Sequence, residues 1–142
     1  MREISPRCNP CYCMNLKRAT NSITKLYNKK LDEISLTVEQ FSLLTDIKLL
    51  GKCSKAELAT YAKLDRSTIS RNLRVLREKG YISDFSTNES RDSQVSLTTS
   101  GAKKLENGCL LWNEAQKYIQ EKVGDENMKQ LRETLNMIEN LS

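Results

Sequence analysis

Apolar residues return at three- and four-residue steps through most of this chain, the spacing that lays one face of a helix on a core. Leu16, Ala19, Ile23, Leu26 and Ile34 predict a first long helix over about residues 12–34, with Lys17, Arg18, Lys25, Lys29 and Lys30 among its other positions. Thr37 is a candidate N-cap for a second helix. That helix has Glu39 and Gln40 in its first turn, an apolar stripe of Phe41, Leu44 and Ile47, and Gly51 as its stop. Ser54 followed three residues later by Glu57 is a capping box, which opens a short helix Lys55–Ala62 burying Leu58, Ala59 and Ala62. Lys63 and Leu64 then form a turn, and Asp65 caps another helix whose Ile69, Leu73 and Leu76 fall on one face before Gly80. Two helices so joined, the second with one apolar face and a polar remainder, predict a helix-turn-helix.

Beyond Gly80 the period drops to two. Residues 81–85 and 94–98 alternate as half-buried strands do, and the polar stretch between them makes a hairpin with a long tip over residues 86–93. Two further helices close the chain, one striped by Leu105, Cys109, Trp112, Ala115 or Gln116, Ile119 and Val123, the other by Met128, Leu131, Leu135 and Ile138. The predicted class is α+β, mostly α. The apolar faces at both ends exceed what a single helix-turn-helix lobe can bury, which predicts a homodimer.

Composition narrows the chemistry. The chain has 142 residues and no histidine, so Ser/His/Asp triads, Cys/His pairs and imidazole metal sites are excluded. Gly51-Lys52-Cys53-Ser54 resembles the end of a phosphate-binding loop, but the glycine needed five residues before Gly51 is missing. Carboxylates are scattered over exposed helical faces. The reading is no catalytic residue, no cofactor, no metal and no enzyme. With no apolar run long enough to span a bilayer and no apolar leader at the start, the expected location is cytoplasmic, away from membranes.

The net charge of +5 is unevenly spread. Residues 63–80 hold Lys63, Arg66, Arg71, Arg74, Arg77 and Lys79 against Asp65 and Glu78, which is +4 of the total. Arg66, Ser67, Thr68, Ser70 and Arg71 avoid the apolar stripe and gather at the start of the helix, the end from which a recognition helix reads base edges. Arg74 and Arg77, further along, are placed for phosphates, and Lys55 at the start of the preceding helix joins the candidate DNA-binding residues. The expected partner is double-stranded operator DNA.

Three stretches taken together resemble the MarR (multiple-antibiotic-resistance regulator) family of winged-helix transcription regulators: LTVEQFSLL, SKAELATYAKLDRSTISRNLRVLREKGYI and ESRDSQVSLTTSGAKKL. The resemblance covers residues 13–140 in the family's element order and implies one domain over residues 1–142. In it, residues 12–34 and 100–142 would form dimerisation helices and residues 37–98 a winged DNA-binding lobe. It further implies a homodimer that grips a palindromic operator, most often as a repressor. Glu89-Ser90-Arg91 stands where the family carries Asp-x-Arg, which implies that Arg91 is the wing's minor-groove finger. The family's usual ligand crevice maps near Tyr27, Phe41 and Trp112, so a small aromatic or amphipathic inducer is one expectation.

The cysteines supply another. Cys53 and Cys109 fall in or beside apolar patterns and read as small core residues. Cys8, Cys11 and Cys13 crowd into CNPCYC. As a metal site the trio lacks a fourth ligand, and as an oxidoreductase motif it lacks a βαβ setting. The organic-hydroperoxide repressors within the resembled family carry a reactive cysteine fourteen residues before a tyrosine that bonds it. Cys13 precedes Tyr27 by that interval, although Val38 replaces a second tyrosine. A helix-start thiol beside Lys17 and Arg18 makes Cys13 the candidate oxidant sensor, with Cys11 and Cys8 as partners for a disulfide. Two alternatives stay open: a thiol-based redox or metal-binding protein built on that cluster, and an architectural DNA binder without sequence preference.

Overall fold

The computed structural model describes residues 11–85 and 93–142. Helix α1 runs over Tyr12–Leu31 and passes into a 3-10 turn at Asp32–Ile34, so the first helix stops short of the expected Ile34. Ser35 ends that turn in the left-handed region, at φ 58°. Helix α2 (Val38–Leu50) starts at Thr37 with a complete capping box: Thr37 Oγ1 accepts the Gln40 N–H at 3.2 Å, and Gln40 Oε1 accepts the Thr37 N–H at 3.1 Å. The α2 stripe is wider than the spacing implied, because Leu43 is also fully buried. This helix is surrounded, and a surrounded helix shows little amphipathic contrast in sequence.

A two-residue strand, β1 (Cys53–Ser54), precedes α3 (Lys55–Ala62) and was not expected. It is too short to show alternation. Its partner is β3 (Gln94–Leu97), which also pairs with β2 (Ile82–Phe85), giving an antiparallel sheet of order β1-β3-β2. The register sets Cys53 opposite Val95 and Ile82 opposite Leu97. Helix α4 (Arg66–Glu78) packs Ile69, Leu73 and Leu76 inward, and these join Leu43, Leu44, Ile47, Cys53, Leu58, Ile82 and Val95 in one core. Burial pushes the Cys53 thiol up from its ordinary pKa, with Glu57 and Asp46 adding to the effect. Cys53 is therefore the inert core residue its pattern implies.

Helix α5 (Thr99–Val123) leaves the lobe directly from β3. Thr98 caps it, accepting the Gly101 N–H at 3.0 Å, while its own hydroxyl donates to the Gly80 carbonyl at 2.6 Å. Gly101 lies so close to the Tyr81 backbone that a Cβ there would fall 2.0 Å from the carbonyl oxygen. The buried face of α5 is Gly101, Leu105, Gly108, Ala115 and Ile119. Cys109 is exposed, contrary to the core reading. One residue past Gly108, it sits about 100° further round the helix and misses the stripe.

Helix α6 (Asp125–Glu139) follows Gly124, which takes φ 96°. Nothing on α6 is buried, and on α1 only Leu31 is. Leu131, Leu135 and Ile138 each stay more than a third exposed, and Met137 is 70% exposed. The surplus apolar faces read from the sequence are thus present and uncovered in the single chain. Among the described residues, no helix is long and apolar enough to cross a membrane.

Candidate nucleic-acid interface

The basic surface is built from the starts of two adjacent helices. Ser54 fixes the start of α3 by accepting the Glu57 N–H at 3.1 Å, and Glu57 returns the contact to the Ser54 N–H at 3.4 Å. Lys63 turns the chain in a left-handed conformation, φ 56°, and Asp65 then caps α4. Asp65 Oδ1 accepts the Thr68 N–H at 2.7 Å and the Ser67 hydroxyl at 2.9 Å. The Thr68 backbone N–H, helped by the side chains of Thr68 and Ser67 and by nearby Arg71, holds the Asp65 carboxyl below its ordinary pKa. The α4 start is therefore rigid, and its first-turn side chains have a fixed platform.

Asn72 locks α4 from the inner side. Its amide donates to Glu39 Oε2 on α2 at 3.3 Å and to the Thr68 carbonyl at 3.1 Å. The opposite face presents Arg66, Ser67, Ser70, Arg71 and Arg74 to solvent, with Thr68 half-buried. A cleft of about 330 Å³ separates the two helix starts and is lined by Lys55, Ala56, Arg66, Ile69 and Ser70. Lys55 of α3 and Arg66 and Ser70 of α4, chosen separately from sequence, thus share one surface.

The cations divide into two groups. Arg66 and Arg71 make no ion pair among the described residues. Arg74 approaches Glu78 at 3.9 Å, an exposed contact that is easily exchanged for a phosphate. Arg77 is different: its guanidinium Nε lies 2.5 Å from Asp84 Oδ2 on β2, so it braces the helix against the wing root. Lys79 turns the other way and donates to the Ser35 carbonyl at 2.5 Å. Charge alone could not separate these roles, because the partners of Arg77 and Lys79 belong to other elements, Asp84 to β2 and Ser35 to the α1–α2 connection. Arg91 and the tip over residues 86–92 lie outside the described residues.

Phe41 and Trp112 come together, and Tyr27 reaches the same helix α5 one turn further along. Phe41 and Trp112 stack with centroids 6.2 Å apart, and the Tyr27 hydroxyl donates to Gln116 Oε1, one turn beyond Trp112 on α5. Gly108 makes room for the Phe41 ring, since a Cβ there would lie 2.7 Å from Phe41 Cδ2. Partial burial raises the Tyr27 pKa. Cys11 and Cys13 are exposed at the α1 start, and Cys8 lies outside the described residues. Cys13 and Tyr27 ride on the same unbroken helix, and fourteen residues of helix separate them by about 21 Å. A bond between them within one chain is ruled out; the spacing can be used only across two chains. Among the described residues no three thiols or carboxylates converge on a metal-sized site.

A hairpin-bearing helix-turn-helix with a basic second helix defines a winged-helix protein. The model of the MarR family matches residues 36–91. An uncharacterised helix-turn-helix-type transcriptional regulator of Bacillus cereus is 32% identical over 93 residues, 66% of this chain and 62% of the relative. The matches to that protein and to YwoH of Bacillus subtilis span less than two thirds of the relatives' own length, 62% and 66%. Among solved structures, Mycobacterium tuberculosis MosR in complex with DNA superposes with a TM-score of 0.78 at 29% identity, over 90% of this chain and 95% of that one. A cysteine-to-serine mutant of Escherichia coli MarR with operator DNA gives a TM-score of 0.84 at 20% identity, over 96% and 99%, and shows the shared fold. Residues 36–91 thus carry the MarR-family match, within a chain that has the winged-helix fold of those regulators.

Proposed function

We propose that this chain is a sequence-specific transcription repressor that binds a palindromic DNA operator as a homodimer in the cytoplasm and catalyses no reaction. The observation that carries the proposal is the pairing pattern on α4: among the described residues Arg66 and Arg71 make no ion pair beside Lys55, while Arg77 and Lys79 further along are engaged by the protein. In this reading Arg66, Ser67, Thr68, Ser70 and Arg71 read base edges, and Lys55 and Arg74 take phosphates. Arg91 serves the minor groove, and the dimer is made by α1, α5 and α6 of one continuous domain. The DNA complex of MosR, at 29% identity, supports the mode of binding.

The inducer in this reading is an oxidant acting on Cys13 or a small amphipathic molecule at Tyr27, Phe41 and Trp112. The exposure of Cys13 on a helix that needs a partner chain supports the first.

Selection from a random duplex pool, followed by fluorescence anisotropy on the enriched sequence, tests the whole reading. A palindrome should emerge, with affinity falling steeply as salt rises, and Arg71→Ala should weaken it by about 1–3 kcal/mol while relaxing the sequence preference. Equal binding to random and selected duplexes would leave an architectural binder, and no retention on DNA would leave a thiol protein. The same titration with hydrogen peroxide should release wild-type protein and not Cys13→Ser; equal release of both removes Cys13 as sensor.

A further inference from the structure

The connection between α1 and α2 presents two carbonyl oxygens, of Ile34 and Ser35, that accept ammonium groups from two different helices. Lys79 Nζ, from the residue that closes α4, donates to Ser35 O at 2.5 Å. Lys104 Nζ, from the second turn of α5, donates to Ile34 O at 3.4 Å and also lies 5.4 Å from the centre of the Tyr81 ring. These carbonyls sit at the C-terminal end of the α1 path, where cations are favoured electrostatically. The loop itself is held: Asn28 Oδ1 accepts the Val38 N–H at 2.8 Å, and the Leu36 N–H returns to Leu31 O at 3.2 Å. On the far side, Lys79 leads through Gly80 into Tyr81, whose carbonyl accepts the Thr98 N–H at 3.1 Å and abuts Gly101. The end of the recognition helix, the root of the wing and the start of α5 thus meet one turn of the α1–α2 connection.

We propose that Lys79 and Lys104 are positioning residues for operator binding: by clamping the Ile34–Ser35 carbonyls they fix the direction of α4 relative to the dimerisation helices, and so the distance between the two recognition helices. The inference rests on the DNA-binding reading above. Lys79 is spent on this clamp and does not face a phosphate. A single lobe does not need the clamp to bind one half-site. Two lobes on one palindrome do, because any swing of α4 against α1 and α5 changes their separation.

The test compares the selected full operator with a duplex carrying one half-site, using wild type, Lys79→Met, Lys104→Met and Lys79→Arg. For Lys79→Met, half-site affinity should hold within about twofold while full-operator affinity falls about five- to tenfold, the size of an ordinary coupling effect. Operators lengthened or shortened by one base pair should be penalised less than they are for wild type, and Lys79→Arg should restore the wild-type pattern. Parallel loss on both duplexes would make Lys79 a phosphate contact and overturn the proposal, as would no loss on either. A readout without DNA separates this outcome from failure of the DNA-binding reading. Spin labels carried on a ketone-bearing residue at Ser70 of both protomers should give a broader distance distribution in Lys79→Met than in wild type, and an unchanged distribution would overturn the clamp.

Discussion

Asp65 governs where the recognition helix begins. It is a solvent-facing carboxylate, yet its pKa is lowered, first by the Thr68 backbone N–H and then by the Thr68 and Ser67 side chains. An acid whose folded pKa lies below its unfolded value adds stability above the unfolded value and loses it as pH falls through the folded one. The melting temperature of Asp65→Ala should therefore lie below that of wild type by a constant margin from about pH 8 to pH 5, closing only beneath the ordinary Asp value of about 3.9. A margin that already shrinks between pH 7 and pH 5, followed by circular dichroism, would assign the stabilisation to another group. This cap was legible in the sequence, as were those of Thr37 and Ser54, because capping is local chemistry within four residues. The fates of Arg77 and Lys79 were not, because each depends on how the fold sets α4 against an oxygen of another element.

Among the elements, α5 makes the closest approaches, through two glycines that differ in what they face. A methyl at Gly101 would meet the Tyr81 carbonyl, which is backbone and pinned by the Thr98 N–H; a methyl at Gly108 would meet the Phe41 ring, which can turn. Alanine favours a helix over glycine by about 1 kcal/mol, which offsets part of either cost. Gly101→Ala should still destabilise by about 1–3 kcal/mol or more, as overpacking against an immobile wall does. Gly108→Ala should cost less, and its effect should appear as a change in Trp112 fluorescence through the stacked ring pair. Chemical denaturation that ranks the two substitutions in reverse order would refute the account. Helix periodicity located α5 correctly yet placed Cys109 inside, since a stripe read at steps of four drifts off the true 3.6-residue face. The strand β1 escaped notice for a related reason: two residues carry no period.

For the whole molecule, the decisive quantity is uncovered apolar surface at its two ends. Leu131, Leu135 and Ile138 on α6 remain over a third exposed, with Tyr12 at 81% on α1. Sedimentation should show a dimer at micromolar concentration, and Leu131→Lys with Leu135→Lys should yield a folded monomer that has lost tight binding to the palindrome. A dimer that survives the double substitution would place the interface elsewhere. The surplus itself was legible from the stripes, and the lobe from its motifs, because both are patterns along the chain. The clamp on Ile34 and Ser35 was not, because it joins residues 44 and 70 positions apart.

The unbroken course of α5 has a mechanical consequence. Its 25 residues make a rod about 37 Å long, anchored at Gly101 by contact with Tyr81. A tilt of about 5° at that fulcrum moves the far end by about 3 Å, close to the 3.4 Å step between neighbouring nucleotides along one strand. The rod is thus a lever: a tilt of a few degrees about Gly101 shifts the lobe and the terminal helices relative to one another by a distance on the scale of the spacing between neighbouring nucleotides.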